Sequence, residues 1–86
     1  MIILEDTNRE ETYKRAIDYC TEQVEQNNFK FDTTIDGLNM WCDNDKDKTI
    51  FFQNEDGGYA TIAIESLKED ADSCIQNLQY QIEETS

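Results

Sequence analysis

The sequence contains no histidine, no proline and only three glycines in 86 residues. Without histidine the chain has no serine–histidine or cysteine–histidine catalytic pair and no histidine-ligated metal site. Three glycines are too few for the loops that cradle phosphate groups in nucleotide-binding enzymes. Carboxylate pairs give no specific catalytic signal, because twenty acidic residues bring some pair close together in any fold. We therefore expect a protein that is not an enzyme and that carries no cofactor.

Basic residues are also scarce: seven lysines and arginines stand against twenty aspartates and glutamates, for a net charge of −13. Direct binding to nucleic acid or to an anionic membrane is disfavoured, because affinity for phosphate polymers comes mainly from lysine and arginine contacts. No apolar run approaches the ~20 residues of a membrane span. The first six residues, MIILED, carry acids where a signal peptide carries a basic segment. We expect a soluble, cytoplasmic protein.

The three cysteines, Cys20, Cys42 and Cys74, are widely spaced and form no CxxC pair. Structural zinc sites need four histidine or cysteine ligands, so we expect these cysteines to be small apolar core residues in a reducing compartment and to bind no metal. The chain length favours a single domain over residues 1–86, since two halves would each lie near the ~40 residues below which domains need disulfides or metals.

Two capping boxes predict two amphipathic helices. Thr7 with Glu10 begins a helix from about Asn8 to Gln26, and Ser66 with Glu69 begins a second one that ends near Glu83. Apolar residues recur at helical spacing in both segments. They are Tyr13, Ala16, Ile17, Cys20 and Val24 in the first, and Leu67, Ala71, Cys74, Ile75, Leu78 and Ile82 in the second.

Between these helices the apolar period changes to two, which predicts β-strands. Asp36-Gly37 is the commonest two-residue hairpin turn, and it pairs Ile35 with Leu38. The predicted strands cover 29–35, 38–42, 49–53 and 59–64, and Met1 to Leu4 could add an edge strand. The sequence thus predicts an α+β domain in the order helix, four-stranded antiparallel meander, helix, with both helices packed on one face of the sheet.

Acidic residues follow the outer side of the predicted elements. Glu11, Asp18, Glu22 and Glu25 form one stripe on the first helix. Carboxylates four residues apart on a helix are ~6 Å apart, and two apart on a strand ~6.6 Å, each close to two nucleotide steps of ~3.4 Å along DNA. We expect the acids to contact a protein groove that normally holds phosphates. The predicted partner-binding residues are Asp18, Glu22, Glu25, Asp43, Asp45, Asp47, Glu55, Asp56, Glu65, Glu69 and Asp72.

In composition and charge placement the chain resembles the DNA-mimic inhibitors of bacteriophages, which include anti-restriction, anti-CRISPR and host-takeover proteins. The resemblance implies an inhibitor that occupies the basic DNA-binding surface of a host protein in the bacterial cytoplasm. A nucleoid protein, a restriction or Cas nuclease and a transcription factor all qualify as the target. The alternative is an immunity protein or antitoxin whose acidity matches a basic nuclease toxin.

A third possible function is suggested by the segment from Asp43 to Asn54. It resembles an EF-hand calcium loop in its acids at positions one, three and five. Lys48 replaces the glycine of the sharp turn, and Asn54 stands where the bidentate glutamate belongs. An acidic hairpin tip explains the segment without a metal, so we expect no calcium site. A metal-responsive module around Asp43, Asp45 and Asp47 stays the third alternative.

The hairpin register also predicts an aromatic patch on the side of the sheet away from the helices. If Leu38 and Met40 face the core, Trp41 faces outward, and alternation sends Phe51 or a neighbour and Tyr59 to the same side. Exposed aromatic patches mark interfaces. We expect Trp41, Phe51 and Tyr59 to form either a homodimer contact or a docking site for the partner.

Overall fold

The computed structural model describes residues 2–42 and 48–85, with side chains from Glu10 onward. The element order is α1 (Ile2–Glu25), β1 (Phe31–Ile35), β2 (Leu38–Cys42), β3 (Thr49–Gln53), β4 (Tyr59–Ala63), α2 (Ile64–Glu69) and α3 (Ala71–Thr85). The strands form one antiparallel sheet in the order β1-β2-β3-β4. The predicted α+β class and the four-stranded meander are confirmed.

The β1–β2 hairpin has the register that the sequence predicts. Asp36 and Gly37 both have positive φ angles, 50° and 86°, as a type I′ turn requires. Ile35 pairs with Leu38, Thr33 with Met40 and Phe31 with Cys42. Because side chains alternate along a strand, this register directs Leu38, Met40 and Cys42 to one face of the sheet.

The hydrophobic core lies between that inner face and the helices. Its buried side chains come from every strand except the edge strand β1 and from all three helices, and the predicted inward positions of α1 are confirmed. They are Tyr13, Ala16, Ile17, Cys20, Val24, Leu38, Met40, Cys42, Ile50, Phe52, Ala60, Ile62, Ile64, Leu67, Cys74, Leu78 and Ile82. Ala71 and Ile75 are partly buried against this cluster.

The predicted start of the first helix is wrong. Helix α1 begins at Ile2, so Thr7 lies inside the helix and does not cap it. The segment Ile2 to Leu4 is helical as well, which rules out the edge strand proposed for it. Once a helix has nucleated, each added residue costs only the small free energy of its intrinsic helix propensity. A capping sequence therefore does not have to mark the end of a helix.

The predicted second helix is in fact two helices, and β4 ends at Ala63 because Ile64 begins α2. Asp70 separates α2 from α3 in an extended conformation, with φ −158° and ψ 89°. Its carboxylate accepts the Ser73 N–H at 3.2 Å and the Ser73 hydroxyl at 2.7 Å. Asp70 therefore caps α3, whereas Ser66, the predicted cap, lies inside α2.

Helix α3 also covers the outer edge of β4. The Gln81 side chain donates Nε2–H to the Thr61 carbonyl at 3.0 Å and accepts the Thr61 N–H at 3.2 Å. One turn on, the Thr85 hydroxyl accepts the Tyr59 N–H at 2.7 Å. An edge strand with unpaired backbone groups invites pairing with another chain. These two side chains occupy the positions that an added strand would use.

We expect Gln81→Ala to lower the free energy of unfolding by about 1–3 kcal/mol, since both hydrogen bonds to β4 and one to the exposed Asn77 are lost and the Thr61 backbone loses its partners. Urea unfolding of the whole chain measures the change. Gln76→Ala is the matched control, because Gln76 is exposed on the same helix. Equal urea midpoints for the two variants would show that Gln81 does not stabilise the edge.

Candidate functional site

The acidic stripe of α1 lies opposite the buried side of that helix. Asp18, Glu22 and Glu25 are exposed, whereas Cys20 and Val24 are buried. At 100° per residue, Asp18 and Glu22 lie roughly 160° around the helix from Cys20. The stripe therefore points directly into solvent, where a partner can reach it.

Arg15 divides this stripe into a paired and an unpaired part. Its guanidinium forms an ion pair with Glu11 at 3.7 Å and with Asp36 at 2.9 Å, which ties α1 to the β1–β2 turn. The Thr12 hydroxyl donates to the same Asp36 carboxylate at 3.4 Å. Within residues 10–42 and 48–85 no other acid forms an ion pair. The carboxylates of the C-terminal half of α1 are thus uncompensated.

Helix α2 brings Lys68 beside the end of this stripe. Glu25 and Lys68 line one cavity of about 210 Å³ between α1 and α2. Lys68 also lines a neighbouring cavity of about 380 Å³ with Glu65, Lys48 and Phe29. The acidic surface is therefore interrupted where α1 meets α2, and this interruption depends on packing between residues distant in the chain.

Glu65, Glu69 and Asp72, which the sequence places in one predicted helix, lie on two different helices. Glu65 and Glu69 lie on α2 and Asp72 lies on α3, on either side of the break at Asp70, and all three are exposed. The role of Asp70 as the cap of α3 was not predicted from the sequence. The hydrogen bond from the Ser73 hydroxyl, followed by that from the Ser73 N–H, holds the pKa of the Asp70 carboxyl below its usual value. The Asp-x-x-Ser spacing is the signal that could have identified this cap.

A separate group of acids lies where the two hairpin turns meet. Glu55 and Asp56 are exposed in the β3–β4 turn and line a cavity of about 130 Å³ together with Asp36 and Thr12. The Glu55 carboxyl group lies close above Gly37, since a Cβ built there would be 3.2 Å from Glu55 Cδ. The strand order places these turns at the end of the sheet opposite the β2–β3 connection. Glu55 and Asp56 therefore lie apart from the acidic stripe of α1.

Asp43, Asp45 and Asp47 lie outside the described residues, so the acidic hairpin tip and the calcium-loop alternative stay predictions. Lys48, which follows them, has a positive φ of 51°. In the part of the chain that the structure describes, no group of three or more cysteine, aspartate or glutamate side chains is placed to hold a metal ion.

The three cysteines are free and buried, as the sequence predicts. Burial, and to a smaller extent the neighbouring Cys42, raises the pKa of the Cys20 thiol to about 12. A thiol with that pKa stays protonated near neutral pH and is a poor nucleophile or metal ligand. The Cys20 Sγ lies 3.8 Å from Met40 Sδ, inside the core.

Trp41 and Phe51 are brought together on the face of the sheet away from the helices. The two residues are directly paired across β2 and β3, and their rings stack with centroids 5.7 Å apart and planes at 17°. Ile50 and Phe52 are fully buried, so Phe51 is the residue of that strand segment that faces outward. Tyr59 shares this face but pairs with Gln53, one row along, and is 41% exposed. Tyr80, 67% exposed on α3, was missed because it lies beside the Leu78 and Ile82 stripe.

Comparison of the chain with protein-family models, with curated proteins and with solved structures gives no match. Among the described residues, none of the helices is both long and apolar enough to span a membrane.

Proposed function

We propose that this chain is a non-enzymatic inhibitor that presents phosphate-like carboxylates to the basic surface of a DNA-binding protein in a bacterial cytoplasm. The observation that carries the proposal is the row of Asp18, Glu22 and Glu25, exposed opposite the buried side of α1 and without ion pairs in the described residues. Lysine and arginine side chains that hold DNA phosphates would find the same charge there.

The position of these acids costs stability, which favours a role beyond solubility. Glu22 and Glu25 lie at the C-terminal end of α1, and no basic residue occupies its last turn. A negative charge there opposes the helix macrodipole by about 0.3–1 kcal/mol. A net charge of about 2 to 8 units suffices to keep a small domain soluble, and this chain carries −13. A charge larger than solubility needs, with some acids placed where they destabilise a helix, is expected when a partner uses part of these acids.

Glu55 and Asp56, at the hairpin-turn end, would extend the contact beyond α1. The paired Glu11, Arg15 and Asp36 lie between Glu55 and Asp56 on one side and the unpaired acids of α1 on the other. A basic groove that follows a DNA backbone is long enough to contact both regions. The target would therefore be a protein with an extended groove, such as a nucleoid protein, a nuclease or a transcription factor.

Affinity capture with elution by DNA tests this function. The whole chain is immobilised, and a nuclease-treated bacterial lysate is passed over it at low salt. We expect the captured protein to be a DNA-binding protein that duplex DNA releases, because both compete for one basic surface. The affinity for the captured protein should fall steeply between ~50 and ~500 mM salt, since the contacts are between exposed charges.

Two results would contradict the proposal. A captured protein that duplex DNA does not displace would not be held through its DNA-binding surface. A single nuclease bound very tightly, with little dependence on salt, would instead support the immunity-protein alternative.

A further inference from the structure

The face of the sheet opposite the helices, here called the outer face, is nearly without charge. Ten residues of the described strands point to this side: Asp32, Thr34, Asn39, Trp41, Thr49, Phe51, Gln53, Tyr59, Thr61 and Ala63. Asp32 alone among them is charged, in a chain of which 31% of the residues are charged. Because Asp32 lies on the edge strand β1, the three other strands present an uncharged surface.

The middle of the outer face is aromatic, and apart from Asp32 its surroundings are polar and uncharged. One row across the sheet reads Asp32, Trp41, Phe51 and Thr61, with the Trp41 and Phe51 rings stacked at its centre. The next row reads Thr34, Asn39, Gln53 and Tyr59, and the Thr34 hydroxyl and the Asn39 amide oxygen are 2.6 Å apart. An aromatic centre with a polar rim is the usual composition of a protein interface.

We propose that the outer face is the contact surface of a homodimer, in which the Trp41–Phe51 pair of one copy packs on the same pair of a second copy. The small number of charges on the outer face indicates that its partner is a second copy of this chain. Two chains of net charge −13 repel each other wherever acid meets acid. Because Asp32 is the one acid on the described strands of the outer face, two copies can meet there with few opposed carboxylates. A basic partner, by contrast, finds almost no carboxylate there to bind.

A twofold axis through the centre of the outer face gives such a contact, since the same residues then meet on both copies. Addition of a strand at β4 is blocked, because Gln81 and Thr85 already bind the backbone groups of Thr61 and Tyr59. Two copies that pack through their outer faces need no free strand edge.

The size of the outer face predicts a weak dimer. Four strands ~4.8 Å apart and five residues of ~3.3 Å give a footprint of roughly 300 Å², against about 800 Å² per partner in stable complexes. The dimer should therefore dissociate on dilution. Salt should strengthen it by screening the repulsion between the two acidic chains, which is the opposite of its expected effect on binding to a basic target. The homodimer is thus a proposal beyond the proposed function, and each of the two can be correct without the other.

Sedimentation equilibrium of the whole chain tests the dimer, from about 1 μM to about 1 mM, the range of weak association. We expect the mean mass to rise from 10.1 kDa toward twice that value with concentration, and to rise earlier at ~0.5 M than at ~0.05 M salt. Trp41→Ser should stay near 10.1 kDa throughout. Tyr80→Ser removes the more exposed aromatic of α3 and should behave as the wild type.

A second pair of variants keeps both stacked rings in place. Gln53→Glu puts a negative charge on the outer face of each copy and should weaken association about tenfold. Gln76→Glu adds the same charge at an exposed position of α3 and should leave association unchanged. A wild-type mass that stays at 10.1 kDa at high concentration and high salt would overturn the proposal. So would a dimer that survives both Trp41→Ser and Gln53→Glu, since another surface would then join the copies.

Discussion

Glu22→Lys combined with Glu25→Lys is expected to weaken binding to the DNA-binding target about 100-fold or more. Each replacement removes an attraction of ~1 kcal/mol between exposed charges and adds a repulsion of similar size, and 1.4 kcal/mol corresponds to tenfold in affinity. Both side chains are exposed, so the core is untouched. Isothermal titration calorimetry with the captured target measures the change.

The same double variant should be at least as stable as the wild type. It places positive charge in the last turn of α1, where the macrodipole favours it, and it lowers the net charge from −13 to −9, since each replacement adds two units. Loss of binding without loss of stability would separate the partner contact from the fold. A thermal unfolding scan of the same samples provides this comparison.

Glu83→Lys combined with Glu84→Lys is the matched control. Both acids are exposed at the end of α3, which also has no basic residue in its last turn, and the net charge changes by the same amount. We expect the control to bind the target almost as the wild type does. Equal losses in the two double variants would mean that total charge, rather than the α1 stripe, attracts the target. Unchanged binding in both would mean that the acids serve only solubility.

Gly58→Ala is expected to cause the largest loss of stability of any substitution considered. Gly58 is buried where the β3–β4 turn approaches α3, and a Cβ there would lie 2.6 Å from the Ile82 carbonyl oxygen and 2.8 Å from Ile82 Cγ2. Ile82 is a fully buried core residue, so relief of the contact requires a shift of α3 or of the turn. Overpacking of this kind costs about 1–3 kcal/mol or more.

Such a loss is large for a chain of this length. Stabilities of ~0.05–0.15 kcal/mol per residue correspond to roughly 4–13 kcal/mol for 86 residues, and self-repulsion among the acids places this chain toward the low end. Each kcal/mol lowers the melting temperature by about 4–8 °C in a domain of this size, so we expect a decrease of about 10–20 °C. Circular dichroism during heating measures it.

The neighbouring Gly57 provides the control for this prediction. Gly57 has a φ of +93°, and a Cβ there would meet no atom within 4 Å. Gly57→Ala should therefore cost only the strain of the left-handed backbone, about 1–2 kcal/mol. A melting temperature of Gly58→Ala at or above that of Gly57→Ala would show that α3 moves away from the turn at little cost.

The parts of the fold that were predicted correctly depend on local pattern. Asp36-Gly37 determines a two-residue turn, and a two-residue turn determines the pairing of Ile35 with Leu38 and every pair beyond it. The outward direction of Trp41 follows from the same register. Helix ends were predicted less well. Thr7 and Ser66 begin capping sequences, but both residues lie inside helices. Extension of a helix that has already formed is favoured over the hydrogen bond that a capping side chain would make.

By itself, the sequence determined the charge of the surface, the inner and outer faces of the hairpin and the buried side of α1, because each depends on composition or on a period of 2 or 3.6 residues. Only the tertiary structure decided which acids are neutralised and which edge of the sheet is covered. Arg15 pairs with Asp36, and Gln81 binds Thr61. These contacts join residues 20 or more positions apart. They depend on how the helices dock on the sheet, which no local period encodes.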